Sequence, residues 1–378
     1  MRPRRLPRAL TLTATATITA VVAATGPAVA AAGAWSAVPA PHPDVQFTSL
    51  QAVDGRTDTD AWAVGYVQPP TASPTYPISL HWNGTAWTDV PVPLQGIGTL
   101  LWGVSAGAAD DAWAVGSVST HPPGYHIVVS PIAMHWNGTA WSPVSVPGGG
   151  TLFGVAALGP NNAWAVGDTV KHWDGTAWTS VTTPSPNPGG VGAGSFTAIT
   201  ARSANDIWAV GSYSPRRHVT AAFAIHYDGT AWSLVPMPTG LQVWSVTSVS
   251  ATDAWVVGQI NPPTVQDTIQ PATVHWNGTA WSVVAGPAIP GNGGYLRGVS
   301  ARASGDVWAV GPQALSDIPY VAPLTEHWNG TQWTQVAAPA DGAPDLWAVS
   351  ARPGTTHTWA VGNRAAVVTG TPLILERH

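Results

Sequence analysis

A short motif, Trp-Ala-Val-Gly or Trp-Val-Val-Gly, recurs seven times along this chain of 378 residues, at intervals of 44 to 53 residues. A second motif, in its fullest form His-Trp-Asn-Gly-Thr-Ala-Trp, follows each of the first six copies. Self-similarity at such a period is typical of folds in which one small unit is stacked repeatedly on its own copy. The first-motif tryptophans are Trp62, Trp113, Trp164, Trp208, Trp255, Trp308 and Trp359; Trp87, Trp141, Trp178, Trp232, Trp281 and Trp333 end the second motif.

Each unit contains four short extended segments separated by turn residues, which predicts a four-stranded antiparallel meander. In the second unit these segments are residues 101–106, 112–116, 132–136 and 140–146, which we call strands A, B, C and D. Units of about 40–50 residues with four strands are typical of β-propeller blades. We therefore expect an all-β fold, a seven-bladed β-propeller of four-stranded antiparallel blades with strand A innermost.

The seventh unit lacks strand D, and a matching segment is found near the other end of the chain. Residues 33–39, Gly-Ala-Trp-Ser-Ala-Val-Pro, resemble strand D of the other units, with Trp35 as the seventh tryptophan. We expect this N-terminal strand to complete the last blade and leave no open sheet edge. The alignment places His378 at the first tryptophan of the second motif and matches Glu376 to Glu326. Residues 31–378 are thus predicted to form one propeller.

Residues 1–30 have the pattern of a signal peptide: a basic start, an apolar stretch from residue 9 to 24, and Ala-Val-Ala at 28–30. An uncleaved membrane anchor is the alternative. We expect a secreted, extracellular protein that does not contact the membrane after cleavage. The remaining chain has 10 basic and 19 acidic groups, a formal charge of −9. This charge disfavours nucleic acid as a partner. We expect a monomer.

The dipeptide between strands C and D is Asn-Gly or Asp-Gly in the first six units, as in Asn83-Gly84 and Asp174-Gly175. Such dipeptides favour tight two-residue hairpin turns, in which both residues have a positive φ. Four of them are also Asn-x-Thr glycosylation sequons. Because Asp stands in two equivalent positions, we interpret the motif as a turn.

These motifs resemble the repeats of exported bacterial, particularly actinobacterial-type, seven-bladed β-propellers over residues 33–378. The Asn-Gly-Thr-x-Trp turn is also distantly similar to the Asp-box hairpin of sialidase-type propellers, although it is one residue shorter and lacks the leading serine. Kelch repeats share the four-strand pattern but have a double glycine in strand B. The resemblance implies an architecture and leaves the activity open.

Several repeated side chains invite a chemical interpretation. Six histidines share one position in strand C, but equivalent positions on separate blades are too far apart for metal bonds of ~2 Å. An aspartate or asparagine stands two residues before six strand-B tryptophans, where we expect it to accept backbone N–H groups in the A–B turn. The tryptophans are expected to pack between blades, with sugar stacking there as the alternative. The histidines are His81, His135, His172, His226, His275 and His327.

The chain has no cysteine, which excludes disulfides and thiolate metal sites. Only two glutamates are present, and no nucleophile elbow, P-loop or zinc-protease motif occurs. We predict no metal site, no cofactor and no catalytic residues, and favour binding over catalysis. Because propeller enzymes assemble sites from scattered loops, an enzyme is not excluded.

The candidate site lies where the units differ. The B–C and D–A connections vary in length and share one face of the disc, and variable loops on a rigid scaffold commonly carry binding residues. The residue at the start of strand A on this face also differs between units. We predict ligand binding by Trp102, Phe153, Trp244, Arg297 and Trp347, with Arg297 as the one cation. Thr48 and Thr197 occupy the same position in units 1 and 4. Plugging of the channel by large side chains is the alternative.

The function we predict is that of a secreted, non-catalytic scaffold that binds a carbohydrate or a cell-wall or other extracellular polymer on the variable-loop face. A polysaccharide-active hydrolase or lyase is the alternative, and a protein–protein interaction platform is a third possibility. Residues on the opposite face, such as Arg202, are expected to leave binding unaffected.

Overall fold

The computed structural model describes residues 33–41, 47–69, 74–187, 194–216, 219–261, 268–289, 293–314, 321–365 and 370–378. The predicted signal peptide, residues 1–30, lies outside these ranges. The described residues form 28 strands in seven antiparallel sheets of four strands each, so the predicted all-β, seven-bladed propeller is confirmed. They include no helix of the length and hydropathy needed to cross a membrane.

The strands follow the predicted order, with A to D running outward from a central channel. Strand β1 is Ser36–Val38. Blade 1 contains β2 (Phe47–Thr57), β3 (Asp60–Gln68), β4 (Tyr76–Trp82) and β5 (Trp87–Asp89). Blade 2 contains β6 (Gly98–Ala108), β7 (Asp111–Thr120), β8 (Val128–Trp136) and β9 (Trp141–Val144). Blade 3 contains β10 (Leu152–Gly159), β11 (Asn162–Gly167), β12 (Val170–Trp173) and β13 (Trp178–Val181).

The second half of the ring repeats this arrangement. Blade 4 contains β14 (Ser195–Ser203), β15 (Asp206–Arg216), β16 (Val219–Tyr227) and β17 (Trp232–Val235). Blade 5 contains β18 (Leu241–Ser250), β19 (Asp253–Ile260), β20 (Gln270–Trp276) and β21 (Trp281–Val284). Blade 6 contains β22 (Gly298–Ala303), β23 (Asp306–Ala314), β24 (Val321–Trp328) and β25 (Trp333–Gln335). Blade 7 contains β26 (Pro344–Ser350), β27 (Thr358–Ala365), β28 (Gly370–Arg377) and β1.

The ring is closed by the N-terminal strand, as predicted. Strand β1 pairs antiparallel with β28, with Ser36 opposite Glu376 and Val38 opposite Ile374. Trp35, 5% exposed, packs edge-on against Trp308 of blade 6 with 5.4 Å between ring centroids. The segment before β1 therefore fills the same place between blades that strand D fills elsewhere.

Tryptophan pairs join every blade to the next. Each strand-B tryptophan packs nearly perpendicular to the strand-D tryptophan of the following blade, with centroids 5.0 to 5.7 Å apart, and all fourteen are between 0% and 8% exposed. Edge-to-face pairs at this distance add to the large apolar area that each ring buries. The pairs are Trp62–Trp141, Trp113–Trp178, Trp164–Trp232, Trp208–Trp281, Trp255–Trp333, Trp308–Trp35 and Trp359–Trp87.

A β-bulge interrupts strand A opposite the motif glycine of strand B. In blade 2 the register shifts between Leu101 and Gly103, leaving Trp102 as the extra residue. A Cβ atom added to Gly116 would lie 1.8 Å from the carbonyl oxygen of Leu100. Corresponding approaches of 1.8 to 2.1 Å occur at the motif glycine of every blade. The last letter of Trp-Ala-Val-Gly is therefore explained by the bulge, which leaves no room for a side chain.

The register of blade 7 differs from the one expected. Glu376 pairs with Trp359 as each motif histidine pairs with its strand-B tryptophan, so Glu376 occupies the histidine position and does not match Glu326. Arg377, not His378, occupies the position of the first tryptophan. Its guanidinium lies 4.6 Å from the ring centroid of Trp308. The expected alignment was wrong by one residue because this blade lacks the letters of the second motif.

The C–D turns also differ from the expected two-residue type. Trp82 pairs with Trp87, so the loop has four residues, and only its glycine, Gly84, has a positive φ, of 92°. The Asn83 side-chain oxygen accepts hydrogen bonds from the backbone N–H groups of Thr85 and Ala86. Asp174 makes the same bonds in blade 3, where its carboxylate accepts from the Thr176 hydroxyl and from the backbone N–H groups of Thr176 and Ala177. These bonds lower the pKa of the Asp174 carboxyl group to about 2. The shared acceptor oxygen explains why Asn and Asp alternate here.

Candidate ligand-binding channel

The central channel contains a cavity of about 760 Å³ whose wall is built from strand A of all seven blades. All five residues predicted to bind a ligand line this cavity, although they lie in five different blades. Each is partly buried, so its side chain is both supported and accessible. The structure thus brings the predicted set together; ligand binding by these residues stays a prediction. The five are Trp102, Phe153, Trp244, Arg297 and Trp347.

The strand-A bulges place these side chains. In six blades the residue that varies is the bulge residue, and in blade 6 Arg297 holds the equivalent position directly before β22. We call these seven the bulge residues. Bulges commonly redirect a side chain next to a functional site. The assignment of Thr48 was wrong: it is fully buried and does not line the cavity. In blade 1 the bulge falls between Leu50 and Ala52, so Gln51 is the equivalent residue. A spacing of eleven residues before the strand-B tryptophan identifies Gln51, and also Trp102, Phe153, Thr197, Trp244 and Arg297.

One arc of the channel mouth is a row of aromatic rings from blades 1 to 3. The ring of Trp102 lies 6.0 Å from that of Tyr66 and 6.2 Å from that of Phe153, measured between centroids. Phe47 lies behind Tyr66 at 6.2 Å. Because each ring is held by the next, this arc forms a preorganised apolar surface.

The opposite arc combines aromatic rings with a guanidinium group, in blades 5 to 7. Trp244 packs on Tyr295 with 5.1 Å between centroids. Arg297 lies between Tyr295 and Trp347, with its guanidinium carbon 3.7 Å from the Trp347 ring centroid. It also donates a hydrogen bond of 2.7 Å to the Tyr295 hydroxyl. Cation–π contact and hydrogen bonding together hold Tyr295, Arg297 and Trp347 in fixed positions.

The charge of Arg297 is balanced. Its Nη1 atom donates to Asp345 at 2.6 Å, and the two side chains are 14% and 20% exposed. Arg297 is thus the one cation of the predicted set, and its charge is paired with the Asp345 carboxylate. This pair offers hydrogen-bonding groups without strong attraction for an anionic ligand.

A polar network continues the second arc into blade 1. The indole N–H of Trp347 donates to Asn363 at 3.3 Å, and the Ser49 hydroxyl donates to the same Asn363 oxygen at 3.0 Å. The Gln51 amide donates in turn to Ser49 at 2.7 Å. These contacts hold Gln51 and Trp347 in fixed orientations at the cavity wall.

The cavity extends to the A–B end of the channel, where its wall includes Asp54, Arg202 and Arg352. Arg352 lies 3.4 Å from Asp54 and donates to the backbone oxygen of Ala106 across the channel. Arg202 instead pairs with Asp206 on its own blade at 2.7 Å. Arg202 thus lies on the wall of the same cavity and is a poorer control for binding than the sequence suggested.

The six motif histidines lie in six different blades, and each contacts residues of its own blade. Each stacks on the strand-B tryptophan, as His81 does on Trp62 at 4.4 Å, and its Nε2 atom is 2.8 to 3.1 Å from the aspartate or asparagine before that tryptophan. The prediction of a structural role agrees with this geometry. The expected aspartate partners were wrong: the side-chain oxygens pair with the motif histidine and, in blades 1, 4 and 6, with an arginine of strand A.

Sequence reasoning missed Tyr66, Tyr295, Asn363 and Gln51. Tyr295 stands two residues before a predicted site residue, so strand alternation places both side chains on one face. Tyr66 and Asn363 directly follow the motif glycine in their blades, the position that faces the bulge. The position directly after the motif glycine can be read from the sequence. Its side chain can be placed at the channel only when the strand-A bulge opposite the glycine is known.

No protein-family model matches the sequence, and no curated protein sequence does. Several solved structures share the fold at low identity. A sialidase from Trypanosoma rangeli in complex with sialic acid has a TM-score of 0.54 and 9% identity over 91% of this chain. The match spans 59% of that sialidase, so this chain corresponds to about three fifths of its length.

An ulvan lyase, a polysaccharide lyase, gives a TM-score of 0.58 at 10% identity, covering 88% of this chain and 93% of the lyase. The β-propeller domain of Cps50 (Swd1) from Myceliophteria thermophila gives 0.51 at 9% identity, covering 90% and 98%. At such identities the common property of these proteins is the β-propeller fold. The chain is a seven-bladed β-propeller with tryptophan-rich blades.

Proposed function

We propose that the channel mouth binds a carbohydrate or an extracellular polymer such as a cell-wall glycan, and that the protein is a secreted, non-catalytic binding scaffold. The observation that carries this proposal is the set of bulge residues. Seven equivalent positions face one cavity, and three are Trp and one is Phe, while the surrounding repeats are nearly uniform.

The chemistry of the wall supports a ligand with both apolar and polar faces. Flat aromatic rings lie on both arcs, and the hydroxyl of Tyr295, the amide of Gln51 and the ion pair of Arg297 lie among them. Binding pockets of about 300–1,000 Å³ commonly combine apolar walls with a few polar groups. Sugars present apolar C–H faces and rows of hydroxyl groups, which match both parts of this wall.

The net charge and the signal-peptide pattern support a secreted protein that binds a neutral ligand. The chain beyond residue 30 has a formal charge of −9, which disfavours polyanions and therefore favours neutral glycans over nucleic acids. The pattern in residues 1–30 supports export. The fourteen inter-blade tryptophans are at most 8% exposed, which supports the channel over a peripheral, lectin-like site.

A binding screen of residues 31–378 against glycans and soluble polysaccharides tests the proposal. We expect Trp102→Ala and Trp244→Ala each to weaken binding of the ligand found by at least about tenfold, the loss of roughly 1.4 kcal/mol of contact. Leu234→Ala, on an exposed position of the outer strand of blade 4, is the control and should bind as the unchanged protein does.

Two results would contradict the channel site. Binding that survives both tryptophan substitutions would place the ligand elsewhere. Binding that is lost on changing Trp87 or Trp141 in a protein that still folds would indicate a site between blades.

The second candidate function is that of a polysaccharide hydrolase or lyase. It is favoured by the Tyr295 hydroxyl beside Arg297 at the mouth, since a phenol next to a cation is a potential proton-transfer group. Among the described wall residues Asp54 is the one carboxylate, whereas most glycoside hydrolases use two. Release of reducing ends or of unsaturated sugars from the same polysaccharides would favour this candidate, and Tyr295→Phe should then abolish turnover without abolishing binding.

A protein-binding platform has one observation in its favour. The B–C loop of blade 2 exposes Tyr125 and Ile127, which are 69% and 62% accessible. A pull-down from culture supernatant compared between the unchanged protein and Tyr125→Ser would detect such a partner.

A further inference from the structure

Blade 7 carries a side-chain cluster that the other blades lack. In blades 1 to 6 an aspartate or asparagine before the strand-B tryptophan pairs with a histidine on strand C. In blade 7 the order is reversed: His357 stands two residues before Trp359, and Glu376 on strand C takes the histidine position. His378 follows two residues later and adds a second imidazole.

We propose that His357, Glu376 and His378 form a binding site for a divalent transition-metal ion, with Zn²⁺ as the preferred occupant. One ligand atom from each of the three residues lies within 4.8 Å of the other two. His357 Nδ1 and His378 Nε2 are the nitrogen atoms that approach Glu376 Oε1. Two imidazoles and one carboxylate are a ligand set that suits zinc and leaves a fourth position for water. Ca²⁺ and Mg²⁺ prefer oxygen ligands and fit two nitrogen donors poorly.

The distances agree with tetrahedral coordination. Bonds of about 2.0–2.1 Å around zinc place neighbouring ligand atoms roughly 3.3 Å apart. Glu376 Oε1 is 3.1 Å from His357 Nδ1 and 3.4 Å from His378 Nε2. Only the separation of the two histidines has to adjust, and His378, at 57% side-chain exposure, is free to do so.

An independent observation points to the same site. The Nδ1 atom of His357 is buried but makes no hydrogen bond among the described residues, although it faces the Glu376 carboxylate. A buried ring nitrogen without a hydrogen bond is costly unless it has another partner. A metal ion bound to this lone pair would satisfy it.

The loop that carries His357 is held from both sides. Asp58 of blade 1 accepts hydrogen bonds from the backbone N–H groups of Thr356 and His357. Arg302 of blade 6 donates to their carbonyl oxygens and to the Thr358 hydroxyl. A ligand fixed in this way by neighbouring groups is preorganised for a metal.

The site lies at the closure of the ring. Glu376 pairs with Ser36 of the N-terminal strand on one side and with Trp359 on the other. A bound metal would therefore tie strand B of blade 7 to strand C, which holds β1. The sequence alone predicts no metal site here, and the expected alignment of this blade, displaced by one residue, matches Glu376 to Glu326 instead of to the motif histidines.

Zinc titration of the protein, purified without a histidine tag and treated with chelator, tests this site. We expect one Zn²⁺ per chain with a micromolar or lower Kd, and a rise in melting temperature on zinc binding. His378→Ala and Glu376→Gln should each weaken binding at least about tenfold. Since His378 is exposed, its replacement should preserve the fold, which circular dichroism can verify.

His121→Ala is the matched control, because it removes an exposed histidine far from this cluster in sequence. It should bind zinc as the unchanged protein does. Absence of zinc binding at 100-fold molar excess would overturn the proposal. So would equal affinity of the unchanged protein and His378→Ala.

Discussion

Two rings of equivalent residues run through this propeller, and they differ in what is repeated. The ring between blades consists of tryptophan pairs, the same in all seven interfaces. The ring around the channel consists of bulge residues that share a backbone geometry but not a side chain, from Gln51 to Trp347. Both rings are sevenfold in structure, and only one is sevenfold in sequence.

The uniform tryptophan pairs and the varied channel residues answer to different demands, one from packing between blades and one from a ligand in the channel. A repeated interface must repeat its packing, because each blade is buried only against its neighbours. A ligand at the axis is asymmetric and meets all seven blades at once, so identical side chains would serve it poorly. We therefore expect the variation in the inner ring to reflect ligand recognition, and the uniformity of the ring between blades to reflect stability.

The comparison predicts its largest effect at the closure. Deleting residues 34–41 removes β1 and Trp35, leaves the edge of β28 unpaired, and exposes Trp308. Truncating a buried tryptophan alone costs about 3–5 kcal/mol, and the lost strand adds to this. Thermal and urea unfolding should show a large loss of stability or no folding. A deletion that melts within a degree or two of the intact protein would contradict closure by this strand.

The fold could be predicted because its determinants are local and repeated. Six copies of Trp-Ala-Val-Gly and one of Trp-Val-Val-Gly identify strand B, the second motif identifies strands C and D, and Trp35 identifies the missing strand. The register of blade 7 could not be found in this way. Its strand C ends at Glu376 and Arg377, and His378 follows the strand. Arg377 takes the place of a tryptophan by packing its guanidinium on the Trp308 ring, and the residue types alone do not suggest this exchange.

Strand C of blade 6 carries a charged residue at a core position where blades 1 and 7 have leucine. Glu326 shares a strand-C position with Leu80 and Leu375, is fully buried, and has no hydrogen-bond partner for either carboxylate oxygen among the described residues. Burial raises its pKa to about 7. In the unfolded chain this group ionises near pH 4.5, so the unfolded state binds fewer protons between about pH 4.5 and 7. Stability should therefore fall as the pH rises through this window.

We expect Glu326→Leu to remove this pH dependence and to stabilise the protein at pH 8. The difference in pKa corresponds to on the order of 3 kcal/mol. Urea unfolding of the unchanged protein and of the variant at pH 5 and pH 8 measures the effect. An equal loss of stability between pH 5 and 8 in the variant would show that another group titrates.

The bulge glycines connect the two rings. In Gly116→Ala the new Cβ would overlap the Leu100 carbonyl oxygen at 1.8 Å, so strands A and B must separate locally. Forced shifts of this kind cost about 1–3 kcal/mol. Because Trp102 stands on the same bulge, we expect weaker ligand binding as well. Gly149→Ala, with no heavy atom within 4 Å of the added Cβ, should change neither stability nor binding.

The site could be predicted only in part, for a physical reason. Variation between repeats identified Trp102, Phe153, Trp244, Arg297 and Trp347, because a difference at one position needs no geometry to detect. The partner of Arg297 could not be identified, since Asp345 approaches it from the next blade across the channel wall. Thr48 was predicted in place of Gln51 because a bulge changes which residue faces the channel axis. No residue type in strand A marks the position of the bulge.

The smallest stability effect is expected in the inner ring, and it completes the comparison. Trp102 is only partly buried and contacts Tyr66 and Phe153 through ring pairs that are worth about 0.5–1.5 kcal/mol each. Trp87, 4% exposed, packs edge-on against Trp359 between blades. We expect Trp102→Ala to lower the free energy of unfolding by about 1–3 kcal/mol. Trp87→Ala should lower it by about 3–5 kcal/mol. Urea unfolding of the two variants, beside the binding screen, separates the roles: Trp102→Ala should lose binding at small cost to stability. If Trp102→Ala destabilises the protein as strongly as Trp87→Ala, the inner ring is a channel plug, and its variation reflects packing of the axis.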